Sequence, residues 1–261
     1  MKNSMKDTIN FLNLSRYVAS LERQINEAGI QLELRTDFGY LVRLCETLPD
    51  KAYPTAMFNP LHHHVGPDNG FWIKGTDEYG KIVHVQAVRF DDLTGTNLAR
   101  EFESLDAFYT DPSVSAPVGE NCRSYAAAAK QITGGVCYHG ELWLRPGLDG
   151  ARGKGLSPLF ARMAMAIAMM QWSPDYFYGI TYKDIILKGV ATLYGYCHIQ
   201  PGAVYWQRPY RDEPLDAWLV WLTGRDILNL VASDQQEDFG SQQNVRAVEQ
   251  DGFSMAHIAA E

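Results

Sequence analysis

Three adjoining segments near the middle of the chain constrain its fold more than any other feature. An apolar, strand-like run extends from Glu141 and stops at Pro146. A glycine-rich stretch, 150–157, follows, and the run from Pro158 to Gln171 is helix-like. Strand, glycine turn and helix, in this order, form the geometry that offers backbone N–H groups to a phosphate.

The glycine turn also carries the chemical features of a phosphate site. Gly153 and Gly155 allow the backbone to approach another molecule closely and to adopt unusual angles. Arg152 and Lys154 add positive charge beside the turn. The alternative interpretation is an ordinary surface loop between a strand and a helix, because short glycine motifs recur by chance.

The order of residues in these segments resembles the cofactor-binding motif of the GCN5-related N-acetyltransferase superfamily. The strand end Leu142-x-Leu144-x-Pro146 and the turn 152–156, Arg-Gly-Lys-Gly-Leu, match that motif. The resemblance implies an α/β (α+β) fold, with a mixed, mostly antiparallel central sheet flanked by helices. It also implies that backbone amides of the turn bind the pyrophosphate of acetyl-coenzyme A (acetyl-CoA). The implied cofactor-binding residues are Leu142, Trp143, Leu144, Arg152, Gly153, Lys154, Gly155, Leu156 and Ser157.

The motif departs from the family pattern in two places. Residues 147–151 make the connection between strand and helix longer than the usual form, which changes the loop. Gly150 stands where the family often has Gln or Arg, and Ser157 where it often has Gly. The second departure affects one side-chain contact with the cofactor and leaves the backbone amides of the turn in place to bind the pyrophosphate.

Composition favours a globular protein of the reducing cytoplasm. The 261 residues are 46% hydrophobic, enough to bury a full core, and the formal net charge of -8 argues against general nucleic-acid binding. The sequence contains neither a signal-peptide apolar region nor an apolar run of membrane-spanning length, so we expect no membrane partner. Four cysteines without metal-site spacing are predicted to be free thiols: Cys45, Cys122, Cys137 and Cys197.

The pattern along the chain predicts three parts. These are an N-terminal helical extension (1–29), an acyltransferase-like domain (30–231) and a polar C-terminal tail (232–261). Prolines predict a loop at 111–119, and residues 184–194 are predicted to form one helix. The sequence is compatible with a homodimer.

Tyr194 is the predicted general acid. The run Ala191-x-x-Leu193-Tyr194 resembles a helix segment of the family, in which the tyrosine often lies near the cofactor sulfur and protonates the leaving thiolate. Tyr196 is the neighbouring alternative. The structural interpretation is that Tyr194 packs between helix and sheet with its hydroxyl on a backbone group.

Glu141 is the predicted general base because the resemblance puts its strand beside the incoming amine. The alternative for Glu141 is an ion pair, and His139 is the next candidate base. The run His62-His63-His64 is not expected to form a three-ligand metal site, since adjacent side chains of an extended segment point in alternating directions. A place in the acceptor pocket suits this run better, and no metal is predicted.

Together these features predict an enzyme that transfers an acetyl group from acetyl-CoA to a primary amine, most simply of a small molecule. Direct transfer is preferred because no cysteine is paired with an obvious activating histidine. A longer acyl-CoA donor and a protein acceptor stay open. The alternative outside enzymes is a non-catalytic coenzyme A-binding or interaction module with the same fold.

Overall fold

The computed structural model describes residues 10–147 and 155–236 of the chain. The strands are Ile30–Arg35 (β1), Gly70–Asp77 (β2), Ile82–Asp92 (β3), Asn121–Arg123 (β4), Gly135–Leu144 (β5), Tyr176–Tyr182 (β6), His198–Gln207 (β7) and Leu215–Thr223 (β8). The α-helices are Phe11–Glu27 (α1), Phe38–Cys45 (α2), Leu98–Ser104 (α3), Pro112–Ser115 (α4), Ser157–Trp172 (α5), Lys183–Leu187 (α6) and Val190–Tyr194 (α7). Residues 224–236 are also helical.

All eight strands belong to one sheet, in the order β1-β2-β3-β5-β6-β8-β7-β4. The β5–β6 pair is parallel, and α5 makes the crossover between these two strands. The other neighbouring pairs are antiparallel. The predicted fold class, a mixed and mostly antiparallel sheet with flanking helices, is confirmed.

Apolar side chains form a core on each face of the sheet. One core includes Phe38 of α2 and Phe102 of α3. The other includes Phe160 of α5, together with Leu14 and Leu21 of α1. The predicted N-terminal helix therefore packs on α5 and contributes to the core on that face. Burial of these side chains on both faces fixes the position of every strand in the sheet.

Two local predictions were wrong, each for a backbone reason. The predicted loop 111–119 contains α4, which Asp111 caps and in which Pro112 occupies the first turn. Proline is suited to that position because its missing N–H has no partner there in any helix. The single helix predicted at 184–194 is interrupted at Gly189, whose φ is +71°, and divides into α6 and α7.

The predicted free cysteines are confirmed. All four cysteines are free, and Cys45, Cys122 and Cys137 are buried while Cys197 is exposed. Among the residues that the structure describes, no helix combines the length and the apolar character needed to cross a membrane.

Candidate active site

The central feature of the candidate site is an opening between β5 and β6. The two strands pair only over Val136–Tyr138 and Tyr176–Tyr178. β6 nevertheless continues beside β8 as far as Tyr182. Residues 139–144 and 179–182 therefore border a gap in which the two strands do not pair with each other. Backbone N–H and C=O groups along such a gap can bind the amides of an extended ligand.

A β-bulge in β5 turns this strand at the opening. Gly140 pairs with Ala87 and Trp143 with Val85, so that Glu141 and the residue after it oppose a single residue of β3. Glu141 has a φ of +56°, which is strained for a residue with a side chain. Strain of this kind persists only where the surroundings hold the residue in place, and it is concentrated at functional sites.

The first turn of α5 lies over β3 beside the bulge. The amide of Gln86, the residue opposite the bulge, donates to the carbonyl of Phe160 at 2.7 Å. The ring of His84 stacks on Phe160 with 3.9 Å between centroids. Before this turn, Gly155 has a φ of +73°, and a Cβ there would meet no atom within 4 Å. The start of α5 thus follows an open turn next to the gap.

The predicted cofactor-binding residues fall into three groups in the structure. Leu142, Trp143 and Leu144 lie in the part of β5 that does not pair with β6, with the side chains of Trp143 and Leu144 buried. Leu156 is buried directly before α5, and Ser157 begins the helix. Three further predicted residues lie outside the described residues: Arg152, Gly153 and Lys154.

A buried chain of hydrogen bonds lies at the narrow end of the opening, where β5 and β6 stop pairing with each other. His139 Nδ1 lies 2.9 Å from the hydroxyl of Tyr196, and His139 Nε2 lies 3.0 Å from Gln86 Oε1. Because the Gln86 amide nitrogen already donates to Phe160, its Oε1 must accept, and His139 must carry its proton on Nε2. His139 Nδ1 therefore accepts, and Tyr196 donates its only proton to it.

Burial keeps both members of this pair neutral. It lowers the pKa of His139 to about 4 and raises the pKa of Tyr196 well above its ordinary value. A histidine that is this hard to protonate, and whose free lone pair already accepts from Tyr196, is poorly suited to take a proton from an amine. The packed interpretation of His139 fits these contacts better than the role of base.

The buried histidines predict a loss of stability in mild acid. Burial also lowers the pKa of His84, to about 3. Unfolded histidines titrate near 6.5, so the unfolded chain binds these protons more readily than the folded one. The contribution of each residue is intact above pH 6.5 and is lost as the pH falls toward the folded value. For His139 the loss by pH 4 is about 3 kcal/mol.

Denaturant unfolding at several pH values between 7 and 5 measures the slope of the unfolding free energy against pH. This range lies above that in which most carboxylates titrate. We expect the slope to be shallower in His139→Gln, while His64→Gln, which changes an exposed histidine, keeps the wild-type slope. An unchanged slope in His139→Gln would show that this histidine does not resist protonation.

Glu141 is held by an ion pair and two hydrogen bonds. Its Oε2 contacts Lys51 Nζ, and its Oε1 accepts from the backbone N–H of Thr55 at 2.9 Å and from the Thr55 hydroxyl at 3.1 Å. The side chains of Lys51 and Glu141 are only 8% and 4% exposed. The ion pair that was the alternative for Glu141 is thus present, and it ties residues 51–55 to the bulge. One lone pair of Oε2 stays available for a further donor.

A cavity of about 950 Å³ lies beside Thr55. Its wall also includes Tyr182, at the end of β6, and Arg208, whose guanidinium stacks 4.9 Å from the ring of Trp206. Further aromatic residues line it: Tyr53, Tyr109 and Tyr210. Its wall carries four charged residues, Arg208, Arg211, Asp212 and Glu213, beside the aromatic ones, and its size is within the range of small-molecule sites.

The three adjacent histidines do not converge. His62 lines this cavity, and its role in an acceptor pocket stays a prediction. His63 and His64 line a second cavity of about 510 Å³. The ring nitrogens of His63 contact the carbonyls of His64 and Asp106 at 3.2 Å. The run is not extended as expected: it lies in a turn in which the backbone N–H groups of His62 and His63 both donate to the carbonyl of Asn59, and this turn directs the side chains to different cavities.

Tyr194 ends α7 and is half-buried against the core on the α5 face. Its role as the acid stays a prediction. Sequence reasoning missed Lys51, Thr55 and Gln86, which contact the predicted site residues. No local motif marks these three residues, because each meets its partner across a long separation in the chain.

Comparison with known proteins gives matches among solved structures alone. No family model matches the sequence, and no curated protein does. The chain is similar to the spermidine/spermine N-acetyltransferase SpeG from Vibrio cholerae in complex with manganese ions, at 9% identity over 76% of this chain and 96% of that one, with a TM-score of 0.42. A structure of the spermidine N-acetyltransferase from the same organism with CoA and spermine gives 10% identity, 76% and 98% coverage, and a TM-score of 0.40.

The N-acyl amino acid synthase FeeM from uncultured soil microbes is 11% identical over 82% of this chain and 84% of that one, with a TM-score of 0.35. These matches are thus structures of spermidine N-acetyltransferases and of an N-acyl amino acid synthase. At these identities and TM-scores the likeness does not extend to substrate or mechanism.

Proposed function

We propose that this protein transfers an acetyl group from acetyl-CoA to the primary amine of a small molecule. The observation that carries the proposal is the opening between β5 and β6, which the bulge at Glu141 borders, while the first turn of α5 contacts Gln86 opposite that bulge. The opening offers unpaired strand edges to a long, amide-containing arm, and coenzyme A has such an arm. The glycine turn before α5 suits the pyrophosphate at the other end of the same cofactor.

On the donor side, the backbone of Leu142, Trp143 and Leu144 binds the pantetheine arm and directs an N–H group at the thioester oxygen. A donor fixed by a strand stabilises the charge that develops on this oxygen without reorganising during the reaction. The turn from Arg152 to Ser157 binds the pyrophosphate through its amides and its two positive charges.

On the acceptor side, the amine enters through the aromatic cavity and passes Thr55 to reach the bulge. The amine nitrogen attacks the carbonyl carbon, the C–N bond forms, and the C–S bond breaks. Glu141 takes the amine proton through its remaining lone pair, and Tyr194 protonates the departing thiolate. Transfer is direct because Cys137, the cysteine of β5, is buried, and burial raises its thiol pKa well above the ordinary value.

Acetyl-CoA binding followed by thiol release tests the proposal. We expect acetyl-CoA to raise the melting temperature and a panel of primary amines to release free thiol from it. A thermal shift with no turnover on any amine would support the non-catalytic binding module. If longer acyl-CoA molecules raise the melting temperature and acetyl-CoA does not, the donor is a longer acyl-CoA. If none of these molecules raises the melting temperature, the proposal is contradicted.

Two glycine variants test the turn before α5. Gly155→Val should weaken acetyl-CoA binding at least about tenfold, because the side chain changes a turn whose amides approach the pyrophosphate. Gly80→Val is the matched control: Gly80 has a φ of +76°, also has open space around it, and lies in the β2–β3 turn. Both variants carry the same backbone strain, so equal affinities in calorimetric titration would remove the turn from the binding site.

A further inference from the structure

A cysteine, a histidine and an aspartate converge where β7 begins and β8 ends. Cys197 and His198 lie at the start of β7, and Asp226 lies in the first turn of the helical residues 224–236. The candidate ligand atoms, one from each side chain, all lie within 4.8 Å of one another. Among the described residues this is the one group of three such side chains. It does not include Glu141, Tyr194 or any residue of the opening.

Neighbouring residues fix the orientation of two of these side chains. His198 stacks on Trp221 with 5.1 Å between ring centroids, and its Nε2 lies 3.1 Å from Asp226 Oδ2. Asp226 Oδ2 also accepts from the backbone N–H of Thr223 at 2.8 Å and from the Thr223 hydroxyl at 2.7 Å, while Asp226 N donates to that hydroxyl at 3.1 Å. Ligands that are already oriented lose little entropy when an ion binds.

We propose that Cys197, His198 and Asp226 form a binding site for a divalent transition-metal ion of the zinc type. Zn²⁺ prefers thiolate, imidazole and carboxylate ligands, at about 2.0–2.3 Å, and a tetrahedral ion would separate its ligand atoms by roughly 3.5 Å. His198 Nε2 and Asp226 Oδ2 are already 3.1 Å apart, and all three ligand atoms lie within 4.8 Å, so side-chain rotation has to bring them closer to this arrangement.

The exposure of the group defines the kind of site. Cys197 is the exposed cysteine of the chain, and the side chains of His198 and Asp226 are 43% and 27% exposed. An ion therefore has access from solvent, and a water molecule completes its coordination as the fourth ligand. Helix capping accounts for the contacts between Asp226 and Thr223, and the side chain of Cys197 also hydrogen-bonds to Asp226, so the three side chains are already linked to one another.

The ion would connect the start of β7 to the helical residues 224–236. Cys197 directly follows Tyr196, which donates to His139 at the narrow end of the opening. The sequence did not predict this site, because Cys197 and His198 lack a second ligand pair at metal spacing, and Asp226 lies far along the chain.

Cobalt and zinc titrations of chelator-treated protein, kept reduced with a non-thiol reductant, test the proposal. Co²⁺ should give the visible bands of a tetrahedral ion and a near-ultraviolet thiolate charge-transfer band, and Zn²⁺ should displace it. Cys197→Ser should remove the charge-transfer band and weaken Zn²⁺ binding at least about tenfold. His198→Gln should weaken binding as well, and Zn²⁺ should raise the melting temperature of the wild type but not of these two variants.

His64→Gln is the control, because it changes an exposed histidine of the 62–64 run and should keep wild-type binding. Circular dichroism and denaturant unfolding verify that each variant is folded. Absence of a cobalt spectrum in the folded wild type would overturn the proposal. So would binding that survives Cys197→Ser and is lost in His64→Gln. Neither result bears on acyl transfer, which is measured separately by thiol release.

Discussion

Tyr194→Phe is expected to lower kcat by about a hundredfold or more while leaving acetyl-CoA affinity almost unchanged. The variant keeps the ring that packs against the core and removes the proton that the proposal gives to the leaving thiolate. Thiol release under saturating substrates measures kcat, and calorimetric titration measures the affinity. A kcat equal to that of the wild type would leave Tyr194 with a packing role alone.

Tyr196→Phe is the matched comparison for this prediction. Tyr196 donates its proton to His139, so we do not expect it to serve the thiolate. Its loss leaves a buried nitrogen of His139 without a partner and should cost about 1–3 kcal/mol of unfolding free energy. A stable Tyr196→Phe variant whose kcat falls about a hundredfold, while Tyr194→Phe keeps the wild-type kcat, would contradict this assignment. Tyr196 would then be the acid and Tyr194 the packing residue.

Glu141→Gln is expected to reduce both stability and activity. It leaves the buried ammonium of Lys51 without its partner, and breaking a buried ion pair typically costs about 3–5 kcal/mol. Glutamine still accepts from Thr55 but cannot take the amine proton. The acidic limb of the pH–rate profile should therefore disappear or move.

The double variant Lys51→Met/Glu141→Gln separates the two effects. It removes the unpaired charge, and we expect it to regain much of the stability that Glu141→Gln loses. Activity and the acidic limb should stay low in the double variant if Glu141 takes the proton. Recovery of activity with stability would mean that Glu141 acts by holding Thr55 at the bulge, and that the amine arrives already neutral.

Local patterns in the sequence predicted the frame of this site. The apolar run at 141–146 and the helix-like run at 158–171 predicted β5 and α5. These features depend on residues close in sequence, where periodicity and glycine carry the information.

The contacts that decide the chemistry were not predictable in the same way. Glu141 meets Lys51, and His139 joins Gln86 to Tyr196, through side chains that come together only when the sheet forms. The sequence named Tyr196 and His139 as separate alternatives and gave no sign that they bond to each other. Likewise, the bulge that turns β5 away from β6 depends on pairing with β3, which local propensity does not specify.

Hydrogen exchange with and without acetyl-CoA tests the central claim, that the opening between β5 and β6 binds the cofactor. The account predicts slower amide exchange in residues 139–144 and 179–182 when acetyl-CoA is added. It predicts little change in β1, the strand at the far edge of the sheet. Bound acetyl-CoA that leaves exchange at the opening unchanged, or that protects a different part of the sheet, would contradict it.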